Sequence, residues 1–417
     1  MTTTSLTRVG SANTYDNALS NISGRQSALS GLQENLTSGK RVVRASDDPT
    51  GAAQAERALT RLSRIQTDQR ALESQRNAIT MAEGTLGDAT DALQNFRELV
   101  VSAGNGIQSP ADRKTIAIQL TGLRDQIFSL ANRKDTNGQP LFSALGSALA
   151  PFVGPQTPPQ DYSFNGLPGQ TASSEVAIPF ALDGDSAFMH QPARDGVYNV
   201  RVGPTPPNPL LQTDSVAVTN ATLVTGASYS LKVTGVDTTT TPGTTVVTYD
   251  LTATPPGTTS TQTAPGYPSA QSANIAVTGM AGLSLTIKGT PLVNDTVTID
   301  PSPSIFSVLD NAIRDIGGAA SNAVASQAVS QALNNLDIGM GRVSAVRGQA
   351  GDLLNRADRI TANQDKRSIQ LEADRSRAED LDMVKGISDF QKEQTGYQAA
   401  LQSYAQIQKL SLFNYIG

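Results

Sequence analysis

Residues 65–100 read IQTDQRALESQRNAITMAEGTLGDATDALQNFRELV. Ile65, Leu72, Ile79, Leu86, Leu93 and Val100 fall on every seventh position, and Ala82, Ala89 and Phe96 fill a second seam position. A seven-residue repeat keeps one apolar stripe on the same side of a helix, so the stretch predicts a helix that needs a partner along its length. Upstream, Asp47-Asp48-Pro49 supplies an acidic cap and a proline at the first helical position. From there about 50 residues of helix span about 75 Å. Ser102 to Gln108, with Gly104 and Gly106, ends the pattern.

Working outward, three more stripes appear. Val329, Leu333, Leu336, Met340, Val343, Arg347, Ala350, Leu354 and Ala357 mark a second long helix, from about 322 to about 377. Tyr15, Leu19, Ile22, Gln26, Leu29, Gln33 and Leu36 mark a helix over 15–37, stopped at Gly39. Val384, Ile387, Tyr397, Leu401, Tyr404 and Ile407 mark a terminal helix over about 382–408, followed by an apolar tail from Leu410 to Ile416. These stripes lie hundreds of residues apart, so the chain is expected to go out and come back. Gln26, Gln33 and Arg347 either set the register of a seam or face solvent at its edge.

Two shorter helices complete the α-helical part. Ser109-Pro110 starts one carrying Ile116, Leu120, Leu123, Ile127 and Leu130, closed by a turn at Asn137-Gly138, and Ser304 starts one carrying Ile305, Leu309, Ile313 and Ile316. From about residue 150 Pro, Gly and Thr rise. The alternating segments are Glu175–Leu182, Val197–Val202, Ser215–Val218, Tyr229–Val233, Val246–Leu251, Ile275–Val277, Leu283–Ile287 and Thr296–Ile299. They predict strands, with Thr252 to Pro268 as a Thr/Pro-rich loop.

The expected fold is mostly α with an inserted β-domain: a long-helix, coiled-coil-like antiparallel rod plus a small β-rich domain. Its parts are 1–48 (N-terminal disordered segment and terminal helix), 49–150 (N-terminal half of the rod), 151–303 (β-rich insertion), 304–381 (C-terminal half of the rod) and 382–417 (C-terminal terminal helix).

The 417 residues carry a net charge of −5, 5% aromatic residues, no Trp and no Cys. Lack of Cys excludes disulfides, Cys-ligated zinc and iron–sulfur clusters. Basic residues are scattered among acids, which argues against nucleic acid as a partner. No uncharged apolar run approaches the roughly 18 residues of a membrane span, so no membrane insertion is expected. Met1 to Arg8 lacks the layout of a secretory signal, and on composition alone the chain reads as cytoplasmic. No catalytic, cofactor or metal residues are assigned. His190, the single histidine, has no nucleophile elbow around it and reads as a solvent-facing loop residue. Asp183-Gly184-Asp185 lacks the remaining ligands of a calcium loop and reads as a β-turn. Glu379, Asp380 and Asp382 read as a solvated acidic face.

Leu36-Thr37-Ser38-Gly39-Lys40-Arg41-Val42, followed by Ala45-Ser46-Asp47-Asp48-Pro49, resembles the N-terminal signature of the flagellin superfamily. Residues Gly122 to Ile127 and Leu130 to Gly138 resemble its following helix and turn. Asn294 to Ile299, leading to Ser304-Ile305-Phe306, resembles its return from the β-domain. Arg375 to Asp380 and Leu410 to Ile416 resemble its C-terminal end. The Asp-Asp-Pro form at 47–49 resembles the hook-associated branch more than flagellin. The likeness covers roughly 8–145 and 290–417, with Ser38, Gly39, Asp47, Asp48 and Pro49 as its motif residues. One departure is that the family-like Arg8-Val9 is preceded by seven residues.

This resemblance implies a structural subunit at the hook–filament junction and no enzyme. It implies export unfolded through the flagellar type III apparatus with a cytoplasmic export chaperone, and an extracellular location without a cleaved signal peptide. The implied partners are copies of itself, the first hook-associated protein and flagellin, with no cofactor. Tyr15, Leu19, Ile22, Leu29, Leu36, Val384, Ile387, Tyr397, Leu401, Tyr404 and Ile407 are then the expected assembly interface. Residues 1–38 and 383–417 are expected to be disordered in the monomer and to order on assembly. The alternatives are a flagellin filament subunit, or a coiled-coil adhesin whose β-domain binds a ligand. Deleting about 205–300 separates the last from a junction role, because only the adhesin loses its activity.

Overall fold

The computed structural model describes residues 11–156, 161–203, 208 and 210–416, with the backbone alone at 11–14, 407 and 409–416. Eight α-helices are described: α1 (Ser11–Ser38), α2 (Pro49–Ala103), α3 (Pro110–Ala131), α4 (Gly184–Phe188), α5 (Pro192–Asp195), α6 (Ile305–Gly317), α7 (Asn322–Glu379) and α8 (Met383–Ile416). The strands are β1 (Phe152–Val153), β2 (Ser163–Phe164), β3 (Tyr198–Gly203), β4 (Leu211–Thr213), β5 (Ala217–Val218), β6 (Ser228–Asp237), β7 (Thr244–Thr254), β8 (Thr258–Thr263), β9 (Tyr267–Pro268), β10 (Ala273–Ala276), β11 (Leu283–Ser284), β12 (Thr286–Gly289) and β13 (Thr296–Pro301). Contacts divide the chain into two compact units, residues 1–70 with 361–417 and residues 71–360. The division falls inside α2 and α7, not at 48/49 and 381/382 where the sequence breaks, because each helix continues unbroken while its neighbours change.

In the unit 71–360 the sevenfold stripe is the core. Ile79, Leu86, Leu93 and Val100 of α2 are fully buried, together with Ala82, Ala89 and Phe96. Leu336, Val343, Ala350 and Ala357 of α7, Leu120 and Ile127 of α3 and Leu309 and Ile316 of α6 join the same cluster. Alanine alternating with larger residues lets helices approach closely. Arg347, at a seam position, donates to Glu83 Oε1 at 2.7 Å with its head in solvent. α3 starts with a reciprocal cap: Ser109 Oγ accepts from the Asp112 amide, and Asp112 accepts from the Ser109 amide. Buried Arg113 donates to Gln108 O (2.7 Å), Asn322 Oδ1 (3.0 Å) and Ala319 O (3.1 Å), tying the α2–α3 loop to the α6–α7 turn.

Residues 152–188 add an aromatic cluster to this helical core. Phe306 contacts the rings of Phe128, Phe152, Tyr162 and Phe188 at centroid distances of 5.1–5.8 Å. The sheet's own core therefore begins at Tyr198, later than the expected start at 151. Glu175–Leu182 is not a strand. The Ile178 amide donates to Gln75 Oε1 (2.9 Å) and the Ala177 amide to Ser174 Oγ (3.0 Å), so these backbone groups have no ladder, and Pro179 interrupts the rest. The apolar alternation there reflects Ile178 and Leu182 filling the helical core.

The main sheet runs β3-β13-β6-β7-β8 with antiparallel neighbours, and β9 adds to β7. β10-β12-β4 forms a second sheet, and two strand pairs, β1-β2 and β11-β5, complete the set. Leu231 and Val233 of β6, Val247, Tyr249 and Leu251 of β7, and Val297 and Ile299 of β13 alternate into one core. Leu283–Ile287, read as one strand, divides into β11 and β12, which belong to different sheets. β8 occupies much of the expected Thr/Pro-rich loop, and β4 is a further strand outside the expected set. Gln327, Gln331 and Asn335, four residues apart on α7, anchor this insertion. Gln327 accepts from the Thr213 amide at 3.0 Å. Gln331 and Asn335 donate to Tyr198 O at 2.9 and 2.8 Å.

Candidate functional site: the paired end helices

In the unit formed by 1–70 and 361–417, α1 packs against α8. Arg25 Nη1 meets Glu393 Oε1 at 3.0 Å, and the rings of Tyr15 and Tyr404 lie 5.4 Å apart. Two glycines in α8 permit the approach. A Cβ at Gly396 would overlap the Arg25 guanidinium, and one at Gly386 would lie 2.9 Å from Leu381 and 3.2 Å from Leu36. Helix-interior glycine costs about 1 kcal/mol relative to alanine, so close packing is its compensation here.

The motif residues build the base of this pair. Gly39 takes a left-handed φ of 69°, which reverses the chain after α1. Its carbonyl accepts from the Leu381 amide at 2.9 Å, and the Arg41 amide donates to Glu379 O at 2.7 Å. The α1–α2 turn is thus bonded to the α7–α8 turn. Lys40 pairs with the partly buried Glu379, which also faces Arg375, so Glu379 is not part of a solvated acidic face. Ser38 Oγ accepts from the Lys40 amide at 3.3 Å. Asp47 accepts from the Arg44 amide at 2.8 Å. Asp48, directly before Pro49 at the start of α2, accepts from the Gly51 amide at 2.9 Å and from Arg41 Nη1 at 3.0 Å. The Gly51 amide, and after it the Arg41 guanidinium, hold the Asp48 carboxyl below its usual range.

The expected interface residues divide into two sets. Ile22, Leu29, Leu36, Tyr397 and Tyr404 are half-buried. Tyr15, Leu19, Val384, Ile387 and Leu401 are exposed, Val384 at 82% and Leu19 at 51%. Gln26 and Gln33 face solvent. The Ile407 side chain and residues 1–10 and 417, which belong to the expected disordered ends, lie outside the described residues. Ala18, Leu32, Phe390 and Ala400, absent from the expected set, are half-buried as well. The apolar repeat could have found these four. The Gly386–Gly396 approach carried only a weak signal, two glycines inside a helix. Among the described residues the buried apolar side chains of the unit are Val42, Ala55, Ala58 and Ala378. No large apolar side chain of α1 or α8 is fully buried among them.

Elsewhere two readings change. His190 is buried, not solvent-facing. Asp183 caps the short helix α4 by accepting from the Asp185 amide at 3.1 Å, where a β-turn was expected. Among the described residues no three His, Cys, Asp or Glu side chains gather as a metal site, and no helix is long and apolar enough to cross a membrane.

Residues 9–146 match the family model of the bacterial flagellin N-terminal helical region, and residues 324–416 that of the bacterial flagellin C-terminal helical region. Over 147 residues the chain is 35% identical to flagellar hook-associated protein 3 of Salmonella typhimurium, covering 35% of this chain and 46% of that protein. The chain thus spans about half the length of the curated relatives it matches. Its fold is similar to that of flagellar hook-associated protein-3 from Legionella pneumophila (TM-score 0.60, 24% identity, 76% of this chain and 97% of that one). It is similar also to FlgL from Xanthomonas campestris (TM-score 0.55, 23% identity, 76% and 98%). The two flagellin models together span more than half of the residues, at both ends and in the right order, and the chain belongs to the bacterial flagellin family.

Proposed function

We propose that the chain is a structural subunit of the bacterial flagellum, placed at the junction between hook and flagellin filament, and not an enzyme. The observation that carries this reading is the helix pair α1–α8, whose Leu19, Val384, Ile387 and Leu401 remain exposed while, among the described residues, its own interface fully buries no large apolar side chain. A helix pair of this kind is marginal in water by itself and gains stability by packing against further helices. Identical subunits that meet head to tail through such surfaces close a ring or build a helix. The first hook-associated protein and flagellin are the neighbours on either side, and the subunit reaches them by type III export with a cytoplasmic chaperone. Its location is extracellular. The similarity to hook-associated protein 3 supports this assignment over flagellin itself.

Deleting the gene tests it. The expected outcome is intact hooks, no filaments, and flagellin released into the medium. Normal filaments in the deletion strain would sink the proposal. Limited proteolysis of the monomer is expected to trim both ends as far as α2 and α7, because α1 and α8 gain their stabilising contacts on assembly.

A further inference from the structure

His190 lies where the outgoing and returning chains of the β insertion meet. Its amide donates to Pro303 O at 2.7 Å, and Met189 bridges Ser304. The ring is 6% exposed, and neither ring nitrogen makes a well-formed hydrogen bond among the described residues, the Ser302 backbone being the polar group beside it. α7 closes the site from the other side. A Cβ at Gly339 would stand 3.6 Å from His190 Nε2 and would overlap the Ile305 side chain. The charged groups around the ring come from three elements. Asp195 and Arg194 belong to α5 and pair at 2.7 Å. Arg342 of α7 reaches Asp195 at 3.8 Å, and Asp183 and Asp185 stand at α4. The returning segment 302–304 and the first turn of α6 bring no charge.

We infer that His190 makes the base of the β insertion an acid-sensitive latch: the neutral ring lets the two chains close beneath α7, and the protonated ring forces them apart. A neutral imidazole can be buried as a packing residue. An imidazolium here needs two acceptors, yet it finds little more than the Ser302 backbone beside it, and Asp195 is already engaged by two guanidiniums. Burial, only partly offset by Asp195, lowers the pKa of the ring to about 4. A folded value below the unfolded one means that stability is complete above about pH 6.5 and is lost as pH falls toward about 4. The opened population at the base is then expected to rise by up to about 300-fold across that window.

The chain has one histidine, so its ring signals in an NMR titration of the full-length protein are unambiguous. The expected result is a titration well below pH 6, with the protection factors of the His190 and Ser302 amides, their exchange rates taken relative to the intrinsic rate at each pH, falling over the same range. In His190→Gln and His190→Phe this acid-driven loss of protection is expected to vanish while protection at pH 7 changes little. A wild-type ring that titrates near 6.5 would overturn the inference without any variant. So would an unchanged acid response in either folded variant, which would place the response on Asp183, Asp185 and Asp195 instead.

Discussion

Along α2 from Ile79 to Val100 every seventh residue is fully buried, whereas along α1 and α8 the described members of the apolar stripes are half-buried at best. Both regions carry a three-four pattern of similar quality. The α2 stripe meets α3, α6, α7 and the aromatic rings of 152–188. The α1 stripe meets α8. Periodicity states that a face must be covered, while burial depends on how many elements arrive to cover it. The first region therefore folds on its own contacts. The second leaves Leu19, Val384, Ile387 and Leu401 exposed.

Substitutions can break this contrast. Phe306→Ala removes the centre of a five-ring cluster and is expected to destabilise the unit 71–360 by about 4 kcal/mol in denaturant unfolding. A loss below about 1 kcal/mol would mean that this core is loosely packed. Gly339→Ala forces the overlap with Ile305 and is expected to cost about 2 kcal/mol through overpacking, visible as a lower Tm. Val384→Ser combined with Leu401→Ser is expected to change monomer stability by less than about 0.5 kcal/mol, since both residues are exposed. The same pair is expected to abolish filament attachment, scored by electron microscopy of cells. Full motility with that variant would remove the exposed face from the interface. Gly396→Ala has the smallest expected effect. It displaces the flexible Arg25 head and breaks its pair with Glu393, a loss below about 1 kcal/mol for a surface pair, while the helix gains about 1 kcal/mol from alanine. Helix content by circular dichroism should stay constant within error.

The helices were legible because a long sevenfold repeat admits one regular structure, and Asp48-Pro49 and Gly39 mark their ends by local chemistry. The strands were less so. β8, TTSTQT, is almost wholly exposed and has no apolar alternation to display. Glu175–Leu182 displays alternation without a ladder, because an amide in that segment finds Gln75 of α2, about a hundred residues away in sequence. The Gln327, Gln331 and Asn335 stripe carries no apolar signal, and its role depends on Tyr198 and Thr213, which come from more than a hundred residues earlier in the chain. Of the candidate assembly residues, the repeat selected the two apolar stripes but could not say which members face the other helix and which face outward.

By itself the sequence determined the helical framework, the existence of an insertion and the motif at 38–49, since these rest on contacts within a few residues along the chain. The tertiary structure alone decided which stripes are buried, where the aromatic rings of 152–188 belong, and that the one histidine is enclosed. Those outcomes depend on groups far apart in sequence, whose meeting has no local signature.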